Sequence, residues 1–365
     1  MYRMKSNALL LMVITTVSAL AIGLLSLSYI TYYSAEKTAE NNIPAHFAVT
    51  ERQNAELFKK ALNENGIPYR EKAIEVIQMN SDLSQVMGVK SELYMSPDAN
   101  QMAVISDSAV GSIDMKADQI LFTSVNDEMQ KFLQFKTNNP LELKSQHLTI
   151  PLTLTGIEER SYVSRRFSMG NLPVAVVDDS VFQRLKQDLT AEIQRKSSLY
   201  IGIDIVDQKE IEKANQLFHN VGWDEQASLE SRMDMFNDSK NKMGLIMFIV
   251  AFLGLTFLIT SGCILYFKQM DESEEEKSSY TVLRKLGFTQ SDLLKGIKVK
   301  QLFNFGIPLV VGLLHSYFAV QSGWFLFGTE LWTPMMIVMG LYTVLYSVFG
   351  VLSVQHYKKI IGKAL

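Results

Sequence analysis

The sequence predicts a membrane all-α fold of four transmembrane helices that carries one large extracytoplasmic α+β domain. Three observations lead there: four long stretches without charge, a long charged segment between the first two of them, and an uneven distribution of Lys and Arg among the short loops.

Between Lys5 and Glu36 lie 30 residues without an Asp, Glu, Lys or Arg; Met243 to Phe267 adds 25, Gln301 to Thr329 adds 29 and Leu331 to Tyr357 adds 27. A bilayer core takes about 20 apolar residues as helix. A charge at its centre costs roughly 2.5–3.5 kcal/mol. In a chain that is 20% charged, four such gaps mark four spans. Ala19-Leu20-Ala21 imitates a signal-peptidase site, but the apolar run continues through Leu24, Leu25, Leu27 and Ile30. That is well beyond a signal core of about 7–15 residues, so the first span reads as an uncleaved anchor. Its Ala19 and Gly23 form a small-xxx-small pair that lets a second helix approach closely. The third span contains Pro308 and His315. Neighbouring helices can satisfy the carbonyl that the proline frees, and a neutral His bonded to a neighbouring helix accounts for the histidine.

Orientation follows the positive flanks. Arg3 and Lys5 precede the first span, the segment Lys268 to Lys300 holds seven positive residues, Lys358, Lys359 and Lys363 follow the last span, and Gln321 to Glu330 has none. Both termini and the long loop are therefore expected in the cytoplasm. The organisation predicted is a first span at 1–33, an extracellular α+β domain at 34–242, spans at 243–267, 303–320 and 331–357, and a cytoplasmic loop at 268–302.

Within the outer domain, His46-Phe47-Ala48-Val49 reads as a strand. Thr50 then caps a helix that presents Leu57, Phe58, Ala61 and Leu62 on one face and ends at Gly66. Alternation over Ile67 to Gln78 predicts a half-buried strand. Leu148 to Gly156, Pro173 to Val177 and Leu199 to Val206 read as further strands, with helices from near Ser180 and over Ile211 to His219. Asn100 to Gly111 and Asn138 to Lys144 read as loops or edges.

Chemistry is sparse. The lone cysteine, Cys263, lies in an apolar run, so the domain has no intramolecular disulfide and is held by burial. His46, His147 and His219 are far apart and lack carboxylates at metal spacing; no GxSxG, HExxH, P-loop or CxxC occurs. Asp178-Asp179, where a strand meets a helix, reads as acidic charge at a helix N-terminus. The chain is expected not to be an enzyme and to hold no metal or cofactor. Its net charge of -3 and the lack of a basic tract exclude nucleic acid as a partner. Arg160, Arg165 and Arg166 could hold a phosphate or simply be solvated. Ser34 to Lys242 has 23 basic and 31 acidic residues, 23 - 31 = -8, so the negative excess lies outside.

The cytoplasmic loop has the most specific pattern. After the acidic run Asp271 to Glu276, Tyr280, Leu283 and Leu286 share one face of a short helix, with Arg284 and Lys285 beside them. Gly287 suits its C-terminal stop, and Thr289 with Asp292 resembles a capping box for the next helix. Such a helix lies at the membrane interface or is gripped by a cytoplasmic partner.

One span, an outer domain and three further spans, together with Tyr280-Thr281-Val282-Leu283-Arg284-Lys285-Leu286-Gly287-Phe288, resemble the FtsX/MacB-type ABC transporter permeases and their coupling segment. Arg3 to Leu9, Ser18 to Tyr33, Leu152-Thr153-Leu154-Thr155-Gly156 and Trp332-Thr333-Pro334 to Tyr357 are similar to the bacitracin-type (BceB-like) peptide-antibiotic permeases. The resemblance covers the carboxy-terminal half of that architecture, whose members carry six further spans. The chain is accordingly expected to be a fragment, a split gene product or a four-span relative. The resemblance implies resistance to and sensing of antimicrobial peptides, a separate cytoplasmic ATPase that binds the ATP, and pairing with a membrane histidine kinase. It also implies a peptide antibiotic or its lipid-linked pyrophosphate as ligand, besides membrane lipids. Two rivals stand beside it: a mechanotransmitting subunit that levers outer partners without flux, and a ligand-sensing receptor.

Overall fold

A computed structural model describes residues 2–88, 100–125, 130, 133–168, 172–223 and 229–362. The chain divides into two compact units, one formed by Met1–Ser34 with Lys240–Leu365 and the other by Ala35–Ser239.

The first unit is helical. It is built on α1 (Tyr2–Tyr33), on α8 (Arg232–Glu275) from Lys240 onward, and on α9 (Lys277–Lys285), α10 (Gln290–Gly323) and α11 (Trp332–Gly362). Helices α1, α8, α10 and α11 are each long and apolar enough to cross a membrane. Many large apolar side chains of these helices are exposed, Phe248, Phe252, Leu302 and Val344 among them, because their solvent is lipid. What is buried is a seam of Ile14, Ile22, Leu258, Leu265, Phe305, Tyr342 and Tyr346. Small residues bring the helices close: the Tyr342 hydroxyl donates to Ser18 Oγ at 3.0 Å, and Ser316 Oγ donates to the Ala19 carbonyl at 2.6 Å. Pro308 sits inside α10 without ending it. His315 Nδ1 lies 2.8 Å from the Val311 carbonyl, one turn back on its own helix. The expected partner on a neighbouring helix is therefore replaced by the i−4 carbonyl, which a side chain at that offset reaches directly.

The second unit is the α+β domain. Its sequential elements are α2 (Ala35–Asn42), β1 (Phe47–Val49), α3 (Arg52–Glu64), β2 (Tyr69–Asp82), β3 (Asn100–Ser106), α4 (Asp107–Val110), β4 (Gln119–Thr123), β5 (Pro140–Lys144), β6 (Thr149–Ile157), β7 (Val174–Val177), α5 (Asp179–Gln187), α6 (Ala191–Lys196), β8 (Ser198–Ile205), α7 (Ile211–Asn220) and β9 (Leu229–Ser231). The first half of β2 pairs antiparallel with β8, β8 with β1, and β1 with β9. With α3 and α7 as the connections, this is a β-α-β…β-α-β sheet of ferredoxin-like order. The second half of β2 pairs with both β3 and β5. From there β3–β7–β4–β6–β5 returns to β2, so an inserted ring of strands closes on itself.

Period-two alternation assigns each face. Ile77 and Met79 of β2, Met102 and Val104 of β3, Ala175 and Val177 of β7 fill the inside of the ring. Ile74, Val76, Ala103, Ile105, Val174 and Val176 point the other way into a second core with Ala48 and Tyr200. On the far face of the open sheet, Phe47, Ile201 and Ile203 meet Phe58 of α3 and Phe218 of α7.

Two sequence expectations change here. Asn100–Ser106 and Pro140–Lys144 are paired strands rather than loops or edges; β5 lies between β6 and β2. The α3 cap is Glu51 rather than Thr50, and it makes no side-chain capping bond. The stop at Gly66 is a Schellman turn: φ is +68°, Ile67 N–H donates to Leu62 and Gly66 N–H to Asn63.

Candidate functional site

The segment that joins α8 to α10 carries a short helix of its own. Helix α8 continues through the acidic run to Glu275, and α9 follows at once. Arg284 and Lys285 lie in the last turn of α9, where positive charge complements the helix dipole. Gly287 stops the helix at φ +99°. Phe288 N–H then donates to Leu283 and Gly287 N–H to Arg284, a second Schellman turn. Thr289 opens α10 with a complete capping box: its side chain accepts from Asp292 N–H, and the Asp292 carboxylate accepts from Thr289 N–H at 3.2 Å. That carboxyl is held below its ordinary pKa by the Thr289 hydroxyl and amide.

The expected apolar face of α9 is split. Tyr280 is 8% exposed and packs, with Leu283 against it, on Leu293, Ile297, Tyr357 and Ile361. Leu286 is 71% exposed, and Val282 and Phe288 are exposed with it. Arg284 is half-buried; Lys285 and Gly287 are exposed. Helix α9 thus has an inward face that seats it on α10 and α11, and an apolar outward tip.

The acidic run makes specific contacts. The Tyr280 hydroxyl donates to Glu276 Oε2 at 2.5 Å, and Lys300 Nζ lies 2.8 Å from Glu276 Oε1 and 3.3 Å from Glu272 Oε2. Lys300 also donates to the Tyr357 hydroxyl at 3.4 Å. Burial, and then the bond to Glu276, pushes the Tyr280 phenol well above its ordinary pKa. Gln269 extends the network: its Oε1 accepts from Gln301 at 2.7 Å and from Asn304 at 3.0 Å. The sequence reading quoted Val282 within the segment without giving it a role, and it missed the joint of Glu276, Lys300 and Tyr357. The available signal was Lys300, the last charge before an uncharged stretch and so placed to meet the acids that follow α8.

The other expected residues are dispersed. Arg160 sits 5.2 Å from the centre of the Tyr162 ring, with Lys72 at 5.7 Å from the same ring. Arg165 and Arg166 lie in a short 3-10 turn, where Arg166 N–H donates to Ser164 Oγ. Ser164 Oγ donates in turn to Glu230 at 2.5 Å. Burial raises the Glu230 pKa, against the pull of Ser164 and Arg166. Asp178 caps α5 through Ser180 N–H, and Asp179 accepts from Ser106 Oγ and Ser108 Oγ at 2.7 and 3.1 Å. Both carboxylates are thereby committed to structure. Among the described residues no group of His, Cys, Asp or Glu could hold a metal ion.

No family model matches the chain. Over its whole length it is 54% identical to the bacitracin export permease protein BceB of Bacillus subtilis (strain 168), of which it covers 56%. It is 53% identical to the protein of the same name from Halalkalibacterium halodurans, again over the whole chain and 56% of that protein. The ABC transporter permease protein YxdM of Bacillus subtilis is 21% identical over 88% of the chain. Four apolar helices among the described residues, with these relatives, support a multi-pass membrane protein that is similar to ABC-transporter permeases. Over its whole length the chain matches BceB-like permeases, and it spans a little over half the length of the two it resembles at 53–54% identity.

Proposed function

We propose that the chain is the part of a BceB-type permease that couples a cytoplasmic ATPase to the handling of a bacitracin-like peptide antibiotic, in resistance and sensing. The observation that carries this reading is the outward tip of α9. Val282, Leu286 and Phe288 are exposed on a capped, well-seated helix between two apolar spans, beside the cationic Lys285. An apolar anchor ringed by charge on a rigid element is what a partner subunit grips. In this reading both termini and α9 face the cytoplasm and the α+β domain faces outside, where its charge of 23 - 31 = -8 attracts cationic peptides. ATP is bound and hydrolysed by the separate subunit; this chain is no enzyme. Arg160, Arg165 and Arg166 serve a lipid-linked pyrophosphate, and a membrane histidine kinase reads the occupied state.

Leu286→Asp tests the reading in the full-length permease. It should reduce copurification of the ATPase and bacitracin resistance while leaving the permease in the membrane, because a charge without a partner in an apolar contact costs about 2 kcal/mol or more. Undiminished copurification and resistance would refute the reading. Arg165→Ala with Arg166→Ala should weaken binding of the pyrophosphate lipid and leave peptide capture intact.

A further inference from the structure

The reading above makes α9 the handle, and it leaves open what fastens the handle to the spans. Lys300 stands at that joint. Its ammonium is contacted by Glu272 near the end of α8, by Glu276 at the α8–α9 junction and by the Tyr357 hydroxyl of α11, while Lys300 itself belongs to α10. Glu276 carries the connection into α9, because its other oxygen accepts from Tyr280 at 2.5 Å. A single side chain therefore ties α8, α10 and α11 to the junction at the base of α9.

This arrangement is a poor device for stability alone. The partners are only partly exposed, at 32% for Lys300, 28% for Glu272 and 40% for Glu276. Desolvation offsets much of the attraction in such pairs, and well-packed apolar side chains often serve stability as well or better. What an ion pair with two carboxylates does supply is a fixed geometry with several directional bonds. The apolar seat of Tyr280 on Leu293, Ile297 and Tyr357 would let α9 roll; the bonds to Glu276 and Lys300 do not.

We infer that Lys300 and Tyr280, joined through Glu276, are positioning residues that transmit movement of α9 to α10 and α11. The inference rests on the proposed coupling role of α9. Lys300 grips the junction from one side and Tyr280 from the other, so displacement of α9 must either drag α10 and α11 or break the Glu276 bonds. Leu286 and its neighbours determine whether the ATPase is held; Lys300 determines whether its stroke is felt.

The experiment uses the full-length permease with its ATPase partner in membranes, comparing wild type, Lys300→Met, Lys300→Glu, Tyr280→Phe and the exchange Glu276→Lys/Lys300→Glu. Two quantities are read: ATPase retained per permease, and the stimulation of ATP hydrolysis by bacitracin. Lys300→Met should retain the ATPase at the wild-type ratio while stimulation falls by about tenfold, within the range that coupling substitutions reach. Tyr280→Phe should lower stimulation less, again without loss of ATPase. The exchange restores attraction between positions 276 and 300 and should recover part of the stimulation that Lys300→Glu alone loses, and only part, because Glu272 then meets a carboxylate and Tyr280 loses its acceptor. A merely structural role predicts that ATPase retention and stimulation fall together with the amount of folded permease, and that result overturns the inference. So does full stimulation in Lys300→Met. If wild-type permease holds no ATPase, or Leu286→Asp keeps all of it, the coupling role of α9 fails instead and the inference falls with it.

Discussion

Ser316 donates a 2.6 Å hydrogen bond to the backbone carbonyl of Ala19, which joins α10 to α1 at the depth of the apolar spans. Gly23, one turn further along α1, is buried on the same side, and a Cβ built there would lie 4.0 Å from Ser316 Oγ. The small-residue pair at Ala19 and Gly23 thus faces α10 of its own chain.

That geometry grades three substitutions. Gly23→Ala should be nearly silent, because its methyl meets Ser316 at an ordinary contact distance. Gly23→Leu should lower detergent-state stability and membrane abundance, since its branch must displace Ser316 and open the seam. Leu24→Phe should be tolerated, as Leu24 is exposed to lipid. Thermal unfolding of the three purified variants ranks them; equal melting temperatures for Gly23→Leu and Leu24→Phe would remove the seam as the explanation.

Phe58 anchors the helical face of the α+β domain. It is fully buried, edge-on to Phe47 and Phe218 with ring centres 4.9 and 5.1 Å away. Phe58→Ala should cost about 3–5 kcal/mol. Phe58→Leu should cost far less, because it keeps most of the volume. Chemical denaturation followed by Trp223 fluorescence is suited to the comparison, since Trp223 packs on both Phe58 and Phe218.

Much of this was readable in advance because it is local. Four charge gaps gave four apolar helices, and Gly66, Gly287 and the Thr289–Asp292 box sit at helix boundaries where their chemistry is specific. Pairing across the chain was not readable. Asn100–Ser106 looks like a loop because its partners, the second half of β2 and the parallel β7, are remote in sequence. The same limit hid the joint at Lys300: Tyr280 was visible as part of an apolar face, but nothing local shows that the face divides, or that Tyr357, 77 positions on (357 - 280), completes its seat. His315 failed in the opposite sense, finding its partner on its own helix where a neighbour was expected.

Gly287 should be sensitive out of proportion to its size. At φ +99° an L side chain is strained whatever the space around it, and nothing lies within 4 Å of a Cβ built there. Gly287→Ala should therefore act through the backbone alone, costing about 1 kcal/mol or more and turning the chain between α9 and α10. Gly287→Asn should recover part of the loss, because Asn enters this region more readily. Limited proteolysis of the segment between Lys285 and Gln290 reports the change: faster cleavage in Gly287→Ala, intermediate in Gly287→Asn. Identical rates in all three would show that the turn does not depend on the left-handed residue.

His46 gives the α+β domain a pH dependence of definite sign. Its Nδ1 accepts the Ile205 N–H at 3.0 Å, which requires an unprotonated nitrogen. Burial foremost, and then the Arg232 guanidinium, lower its pKa from 6.5, while Asp204 and Glu40 oppose them. Arg232 is itself fixed by bonds to the carbonyls of Ile43 and Pro44. The imidazole therefore binds a proton less readily in the fold than in the unfolded chain. Between its folded pKa and 6.5 the unfolded chain carries more protons, so stability rises with pH through that window and is lost as pH falls through it. The melting temperature of the domain should fall on acidification from neutral pH through the window below 6.5. His46→Asn retains an acceptor near Ile205 N–H without a titratable ring, so its melting temperature should fall less over the same window. The difference between the two profiles isolates His46 from carboxylates such as Glu230, whose pKa burial raises instead. Parallel profiles would show that protonation of His46 contributes nothing to the acid limb.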